Sequence, residues 1–155
     1  MSLDSLVSPH KRWMKSALRE GRIAFDNKEV PVGAVVVLKN VIVGRGRNMV
    51  ETLGDPTAHA EMIALTAATQ TLGTKHLNGC TLYVTLEPCP MCAGALVLSR
   101  IDRLVFGALD EKAGAASTLY NITEDPRLNH QLEVIAGIDA DLSADLLSSF
   151  FKKLR

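Results

Sequence analysis

Two short segments of this 155-residue chain carry the residue types of a metal site. The first supplies His59 and Glu61, and the second supplies Cys89 and Cys92. One imidazole and two thiolates suit a tetrahedral zinc, and three protein ligands leave a fourth position open for water. The carboxylate of Glu61, two residues from His59, is close enough in the chain to move a proton of that water. The residue types therefore predict a catalytic zinc, because a structural zinc is normally closed by a fourth protein ligand.

The spacing of these residues indicates that both segments begin helices. Asp55 can cap a helix that has Pro56 in its first turn, and Pro90 fits the first turn of a second helix. Cys89 and Cys92 are three positions apart, so their sulfur atoms face the same way. The partial positive charge at a helix N-terminus favours the thiolate, which is the form that binds metal.

Each part of the pattern has an ordinary interpretation when it is taken alone. A single histidine is usually a satisfied polar residue, and a C-x-x-C pair can be a redox pair or half of a structural zinc site. The order His59, Glu61, Pro88, Cys89 and Cys92 is more specific. It forms the H-x-E…P-C-x-x-C signature of zinc-dependent nucleobase deaminases, which favours the catalytic interpretation.

Helices that alternate with strands must position these segments. A first helix is predicted after a Ser8 cap, with an apolar stripe that includes Trp13 and Ala17. The remaining predictions are strands at 32–38 and 41–45, a helix at about 56–70, a strand at 81–86, a helix at 90–98, a strand at 104–106, a helical segment at 113–120, a strand at 132–136 and a last helix capped by Ser143. This order predicts an α/β fold, a three-layer α/β/α sandwich around a mixed five-stranded sheet.

Composition and charge narrow the class of protein. With 47% hydrophobic and 22% charged residues, residues 1–155 are expected to form a single globular domain. No apolar run is long enough to cross a membrane, no signal peptide is evident, and the unassigned Cys80 suits a buried position, so we expect a cytoplasmic protein. The net charge of zero counts against indiscriminate binding of nucleic acid. Local basic clusters such as Lys152, Lys153 and Arg155 are either a solvated surface or a contact for RNA.

A family resemblance extends over nearly the whole chain. The matching stretches are residues 29–34, Asn48, 55–61, 82–89, 91–95, 99–101, 105–108, 114–116, 129–130 and 150–151. On these stretches the chain resembles the cytidine deaminase superfamily and, within it, the TadA-type tRNA adenosine deaminases. The zinc motif alone would fit many deaminases. The flanking Val-Pro-Val-Gly-Ala, Gly-Ala-x-Asp and Phe-Phe segments narrow the resemblance to this type.

The resemblance implies hydrolytic deamination of the wobble adenosine of a tRNA anticodon to inosine, with one zinc per chain and Glu61 as the catalytic proton carrier. It also implies a homodimer that binds the anticodon stem-loop, with no membrane and no nucleotide cofactor. The substrate-binding residues that it implies are Asn48 on the target nucleotide, Pro31 and Val32 at the base, Asp110 on ribose or a neighbouring nucleotide, and Phe151 and Lys152 on the anticodon loop.

Other interpretations stay open at this point. Asn48 could form a turn at a strand end, Asp110 could cap a loop, and Phe151 could belong to the core of the last helix. Phe150 and Phe151 cannot both point the same way, so one of them is expected in the core. The alternative enzyme is a small-molecule deaminase of guanine, cytosine or a nucleoside. The alternative without catalysis is a zinc-stabilised RNA-binding module, against which the carboxylate of Glu61 counts.

Overall fold

The computed structural model of the chain describes residues 2–154. In chain order the elements are α1 (Leu3–Asp26), β1 (Gly33–Leu38), β2 (Val41–Arg47), α2 (Val50–Leu53), α3 (Ala60–Leu72), β3 (Thr81–Leu86), α4 (Pro90–Leu98), β4 (Arg103–Ala108), β5 (Glu133–Ile135) and α5 (Ala140–Lys153). No helix in the part of the chain that the structure describes is both long and apolar enough to cross a membrane.

The five strands form one mixed sheet in the order β2-β1-β3-β4-β5. β1 is antiparallel to both β2 and β3, whereas β3, β4 and β5 run parallel to one another. The parallel connection from β3 to β4 passes through α4, as such crossovers require. The predicted mixed five-stranded sheet is therefore confirmed. Because β3 and β4 are parallel, both end at the same edge of the sheet, and the chain reaches the two cysteines directly after β3.

Alternate side chains of the central strands pack into two cores on opposite faces of the sheet. Val36 and Leu82 belong to the core beneath α3 and α4. Val35 and Tyr83 belong to the core beneath α1, which contributes Trp13. Period-two alternation places neighbouring residues of a strand on opposite faces. The arrangement is the three-layer α/β/α sandwich that the sequence predicts.

Two glycines of β2 bring the sheet into direct backbone contact with α3. A Cβ atom on Gly44 would overlap the backbone of Ala64, and one on Gly46 would overlap the backbone of Ala60. Because glycine has no Cβ, the two main chains approach more closely than any other residue would permit. The first turn of α3 is thereby seated directly on the edge strand.

The predicted start of the first helix was wrong. The helix begins at Leu3, with Ser2 as its cap, and Pro9 lies inside it. The hydroxyl of Ser2 accepts a hydrogen bond from the Ser5 amide at 3.2 Å. The absent N–H of Pro9 leaves the exposed Ser5 carbonyl without its helical donor, and exposure to water makes that loss tolerable.

The predicted start of the last helix was also wrong. α5 begins at Ala140, three residues before the expected Ser143 cap. The N-cap residue before it, Asp139, is in the left-handed conformation, with φ of 54°. The buried hydroxyl of Ser143 donates to the Asp139 carbonyl at 3.3 Å, inside the first turn. Ser143 thus bonds back to the carbonyl four residues earlier and does not cap the helix.

Two further predictions need correction. The long central helix begins at Ala60 rather than near Pro56, because Asp55 closes a tight turn in which its carboxylate accepts from the Thr57 amide at 2.8 Å. Residues 113–120 form turns rather than a helix. The short helix α2 was not predicted. Strand β3 and helix α4 have the predicted bounds.

Candidate active site

The cluster of one histidine and two cysteines forms where α3 and α4 begin. His59 is the N-cap of α3 and Cys89 is the N-cap of α4, both with extended backbone. The Nδ1 atom of His59 lies 3.6 Å from the Sγ atom of Cys89 and 3.6 Å from that of Cys92. The three ligand atoms all lie within 4.8 Å of one another. The residues predicted to bind metal therefore form a compact cluster that could hold a metal ion.

The distances in this cluster test the fit to a tetrahedral metal. Zinc bonds of about 2.0–2.1 Å to nitrogen and about 2.3 Å to sulfur, at about 109°, separate the two ligand atoms by about 3.6 Å. The observed separations between His59 and the two sulfur atoms have this value. The donor set and its spacing fit zinc, although they do not identify the metal by themselves.

The electrostatics of the cluster favour one ionised cysteine. A hydrogen bond from Cys92, together with one from His59, lowers the pKa of Cys89 to about 4 against the opposing effect of burial. The same hydrogen bond and burial raise the pKa of the Cys92 thiol. Hydrogen bonding to Cys89 raises the pKa of His59. Cys89, at the helix N-terminus, is thus the more acidic of the two cysteines.

Glu61 is the carboxylate next to this cluster. It lies in the first turn of α3 and only 4% of its surface is exposed. Burial raises its pKa to about 7, and the charge on the neighbouring Cys89 acts in the same direction. A carboxyl group with a pKa near neutrality can both take up and release a proton at physiological pH. Its position and pKa suit a group that transfers protons beside a metal.

A cleft of about 600 Å³ opens above the cluster and has the size of a ligand pocket. His59, Glu61 and Cys89 lie at its surface. Four of the six predicted substrate-binding residues line it as well, namely Val32, Asn48, Asp110 and Phe151. Pro31 is buried and Lys152 is exposed on α5, and neither is among the lining residues.

Comparison with known proteins places this site in a family. A family model described as MafB19-like deaminase matches residues 8–155. The chain is 49% identical over 143 residues to the tRNA-specific adenosine deaminase of Bacillus subtilis (strain 168), covering 92% of this chain and 89% of the relative. It is 51% identical to the tRNA-specific adenosine deaminase of Aquifex aeolicus (strain VF5), covering 92% and 94%. This chain belongs to the tRNA-specific adenosine deaminase family.

Solved structures agree with this membership. A structure from a study of A-to-I editing by tRNA:A34 deaminases at the wobble position of transfer RNA superposes with a TM-score of 0.84 at 42% identity. It covers 88% of this chain, which in turn covers 99% of it. A guanine deaminase from Nitrosomonas europaea superposes with a TM-score of 0.74 at 25% identity, covering 90% of this chain and 83% of its own. The fold thus also occurs in a deaminase of a free base.

Asn48 lies between the end of β2 and the start of α2. Its backbone amide donates to the Val32 carbonyl at 3.1 Å, which joins two residues of the cleft wall. Its side-chain oxygen accepts from the Val50 amide at 3.1 Å. The turn-forming interpretation is therefore correct for the carbonyl oxygen. The NH₂ of the same side chain is the group that can donate to a bound base.

Asp110 shows a similar division between its two carboxylate oxygens. Oδ1 accepts from the amides of Lys112 at 3.0 Å and Ala113 at 3.2 Å, so the loop-capping interpretation holds for this oxygen. The second oxygen, Oδ2, is the one that can contact a ribose hydroxyl. A role in substrate binding for Asp110 is still a prediction, and it requires that oxygen.

Two cleft residues that sequence reasoning did not single out are Glu29 and Glu87. Both are buried, with 2% and 1% of their surface exposed, and both line the cleft. They occur in the stretches that carry the family resemblance, where no role was assigned to them. The available signal was an acidic residue next to apolar or proline positions, as in Leu86-Glu87-Pro88, which is a costly place for a charge unless it is hydrogen-bonded.

Proposed function

We propose that this protein hydrolytically deaminates adenosine to inosine at the wobble position of a tRNA anticodon. The observation that carries the proposal is the buried Glu61 beside a three-ligand metal cluster at the surface of a cleft. The chain around that site is about half identical to tRNA-specific adenosine deaminases. A three-ligand set suits a metal with an open position, which hydrolysis needs and a purely structural metal does not.

We infer that the metal is zinc, one per chain, held by His59, Cys89 and Cys92. Their separations fit tetrahedral zinc bonds, and the thiolate of Cys89 at a helix N-terminus is a metal-binding form. When bound, zinc lowers the pKa of its water towards about 7 and so supplies a nucleophile at neutral pH.

Glu61 is the catalytic residue of the proposed reaction. Its carboxylate accepts a proton from the attacking water and donates one to the ring nitrogen next to C6 of adenine. The remaining hydroxide adds to C6, and Glu61 then takes the proton of the new hydroxyl group and transfers it to the departing amine, so that water is consumed, ammonia leaves and hypoxanthine is the product base. One carboxyl group can act as base and then as acid because its pKa of about 7 leaves both forms populated at neutral pH.

Recognition of RNA is assigned to the cleft and its mouth. Asn48, Val32 and Pro31 surround the base, with the amide of Asn48 as hydrogen-bond donor. Asp110 contacts ribose or a neighbouring nucleotide, and Phe151 and Lys152 contact the anticodon loop. Unpaired loops suit such a site, because their bases leave the stack at low cost. The exposed side chains of Phe151 and Lys152 are free to meet RNA.

We also propose that two copies of this single-domain protein form a homodimer in the cytoplasm. The outer faces of α3 and α4 carry apolar side chains that the chain itself leaves exposed or half-buried, including Met62, Ile63, Met91 and the 80% exposed Leu98. A second chain seated there would cover them. Light scattering should give twice the monomer mass, and Leu98→Glu should shift it towards one chain. A wild-type monomer with full activity would contradict the dimer.

The function is tested with pure protein and an anticodon stem-loop that carries a wobble adenosine. Matched reactions contain the same stem-loop with guanosine or cytidine at that position, and free guanine, cytosine, adenosine and cytidine. We expect inosine from the wobble adenosine and no product from the others. Product from a free base alone would indicate a small-molecule deaminase. Stem-loop binding without any product would indicate an RNA-binding module stabilised by zinc.

A further inference from the structure

Two buried carboxylates stand at the cleft outside the metal cluster, and the reaction proposed above uses neither of them. Glu29 and Glu87 are each at least 98% buried. Within residues 2–154 neither forms an ion pair with a lysine, arginine or histidine. Burial of a carboxylate without a cation is costly unless hydrogen bonds replace those of water. The donors that each of them binds therefore show what it does.

Glu29 binds the segment that follows Asn48. One carboxylate oxygen accepts from the Glu51 amide at 3.0 Å. The other accepts from the Thr52 amide and from the Thr52 hydroxyl, both at 2.6 Å. These donors lie in α2, whose first residue Val50 donates to the side chain of Asn48. Glu29 thus fixes α2, and α2 fixes the side chain proposed to hold the base.

Glu87 binds the segment that follows β4 and carries Asp110. It accepts hydrogen bonds from five donors, namely the amides of Asp110, Ala116, Ser117 and Thr118 and the hydroxyl of Thr118. A Cβ atom on Gly114 would overlap the Glu87 carboxyl group, so the segment is closed tightly around it. These hydrogen bonds also explain why residues 113–120 are not a helix, because several of their amides point to Glu87.

The chemistry of both positions requires a carboxylate. The amides that donate to Glu29 and Glu87 lie in turns or in a single short helix and have few backbone acceptors of their own. A carboxylate only accepts, and at both positions both of its oxygen atoms are used. Glutamine has the same shape but would direct an NH₂ group at one set of donors. Burial opposes ionisation of Glu29, yet the hydrogen bonds from Thr52 and Glu51 outweigh it and lower its pKa.

We propose that Glu29 and Glu87 are positioning residues that hold two walls of the cleft, the Asn48 wall and the Asp110 wall, in the shape that accepts the substrate nucleotide. They act on binding through these walls and leave the metal site and Glu61 unchanged. The choice of nucleotide as the substrate rests on the proposed function. The anchoring of the walls rests on the hydrogen bonds alone.

The test compares Glu29→Gln and Glu87→Gln with Glu124→Gln, an exposed glutamate that lies outside the two anchored segments 50–53 and 110–118. With the stem-loop as substrate, we expect KM to rise at least tenfold in both variants. We expect kcat at saturation to stay within about threefold, because a lost binding contact that is equal in ground and transition states changes KM alone. Metal content should equal that of the wild type. Thr52→Val and Thr118→Val each remove one hydroxyl donor and should raise KM by a smaller factor.

Hydrogen exchange provides a second measurement that does not depend on activity. Glu29→Gln should reduce protection at residues 50–53 and Glu87→Gln at 110–118, with α3 and α4 unchanged. A KM within twofold of wild type in both variants, a fall in kcat at constant KM, or unchanged protection of both segments would overturn the proposal. If the wild type does not act on the stem-loop at all, the proposed function fails, whereas the exchange experiment still decides whether the walls are anchored.

Discussion

Phe150 and Phe151 are consecutive residues of α5 with opposite environments. Phe150 packs edge-on against Phe25 of α1, with ring centroids 5.7 Å apart, and only 7% of it is exposed. Phe151 stands at the mouth of the cleft, and 47% of it is exposed. Their own rings are 5.4 Å apart and nearly perpendicular. One aromatic residue of the pair therefore holds the helix, and the other is available to a ligand.

This division predicts different outcomes for two alanine variants. Phe150→Ala should lower the free energy of unfolding by about 3–5 kcal/mol, because it removes a buried ring. Phe151→Ala should leave stability within about 1 kcal/mol of wild type. It should instead weaken binding of the stem-loop by about 5- to 150-fold, the range of a lost base–aromatic stack. Urea denaturation and a binding titration measure the two effects, and the reverse pattern would show that Phe151 has no contact with RNA.

The lysines at the end of α5 are predicted to contact phosphates. Lys152→Gln with Lys153→Gln should weaken stem-loop binding and reduce the slope of log affinity against log salt by about 1.4, at about 0.7 per contact. Lys39→Gln with Lys75→Gln is the matched control, because these exposed lysines lie beyond the ends of β1 and α3 that are remote from the cleft. Equal slopes for both double variants would make the α5 end a solvated surface. Arg155, the third residue of the predicted cluster, lies outside the described residues.

Glu61→Gln is predicted to separate binding from catalysis. It keeps the size of the side chain but removes its ability to exchange protons. The variant should bind metal and stem-loop as the wild type does, while deamination slows by at least about 10²–10⁴-fold. Single-turnover assays with the wobble-adenosine stem-loop measure the rate, and elemental analysis measures the metal. Turnover near the wild-type rate would remove Glu61 from the mechanism.

The two kinds of cysteine in this chain provide a test of the metal site. Cys89→Ala should reduce zinc from about one per chain to a small fraction and lower thermal stability, because metal binding is coupled to folding. Cys80 is fully buried in the core beneath α3 and α4, next to the start of β3, whereas the cluster follows the other end of that strand, so Cys80→Ala should retain the metal. Elemental analysis of protein purified without chelators compares the variants. Wild-type protein without a transition metal would contradict the assignment.

The pKa of Glu29 predicts how acid affects the fold. Its pKa in the folded protein lies below the ordinary value of 4.5, because hydrogen bonds outweigh burial. The ionised carboxylate therefore contributes its full stabilisation at pH values above 4.5, and this stabilisation is lost as the pH falls through the pKa that Glu29 has in the folded protein. Glu29→Gln should therefore be less stable than wild type at pH 7, and the difference should shrink below about pH 4.5. Urea denaturation across this range decides, and a constant difference would contradict the ionised state.

The sequence predicted the parts of the site that depend on local patterns. Thr81–Leu86 and Pro90–Leu98 have the predicted bounds, because a β-branched run and a proline in a first helical turn are local signals. The positions of Cys89 and Cys92 followed directly from them. The start of α3 was missed because Asp55, a good cap by type, forms a two-residue turn with Thr57 instead. Local patterns do not decide which of two nearby caps is used.

Long-range hydrogen bonds decided what the sequence could not predict. Residues 113–120 have helix-compatible side chains, but their amides donate to Glu87, about 30 positions earlier in the chain. The short helix α2 likewise depends on Glu29, more than 20 positions away. A pattern within a window of residues contains no trace of such partners. The walls of the cleft were therefore less predictable than the metal cluster.

The direct contact between β2 and α3 predicts where in the chain mutations that abolish metal binding would be found. Any side chain at Gly44 or Gly46 must push α3 away from the sheet, and His59 is the residue at which α3 begins. Cys89 and Cys92 stand at the start of α4, which does not contact β2 within the described residues, so this displacement does not move them directly. A genetic screen for variants without metal should thus recover substitutions in an edge strand that touches no ligand. Distance along the chain from the cluster is a poor guide to which mutations abolish it.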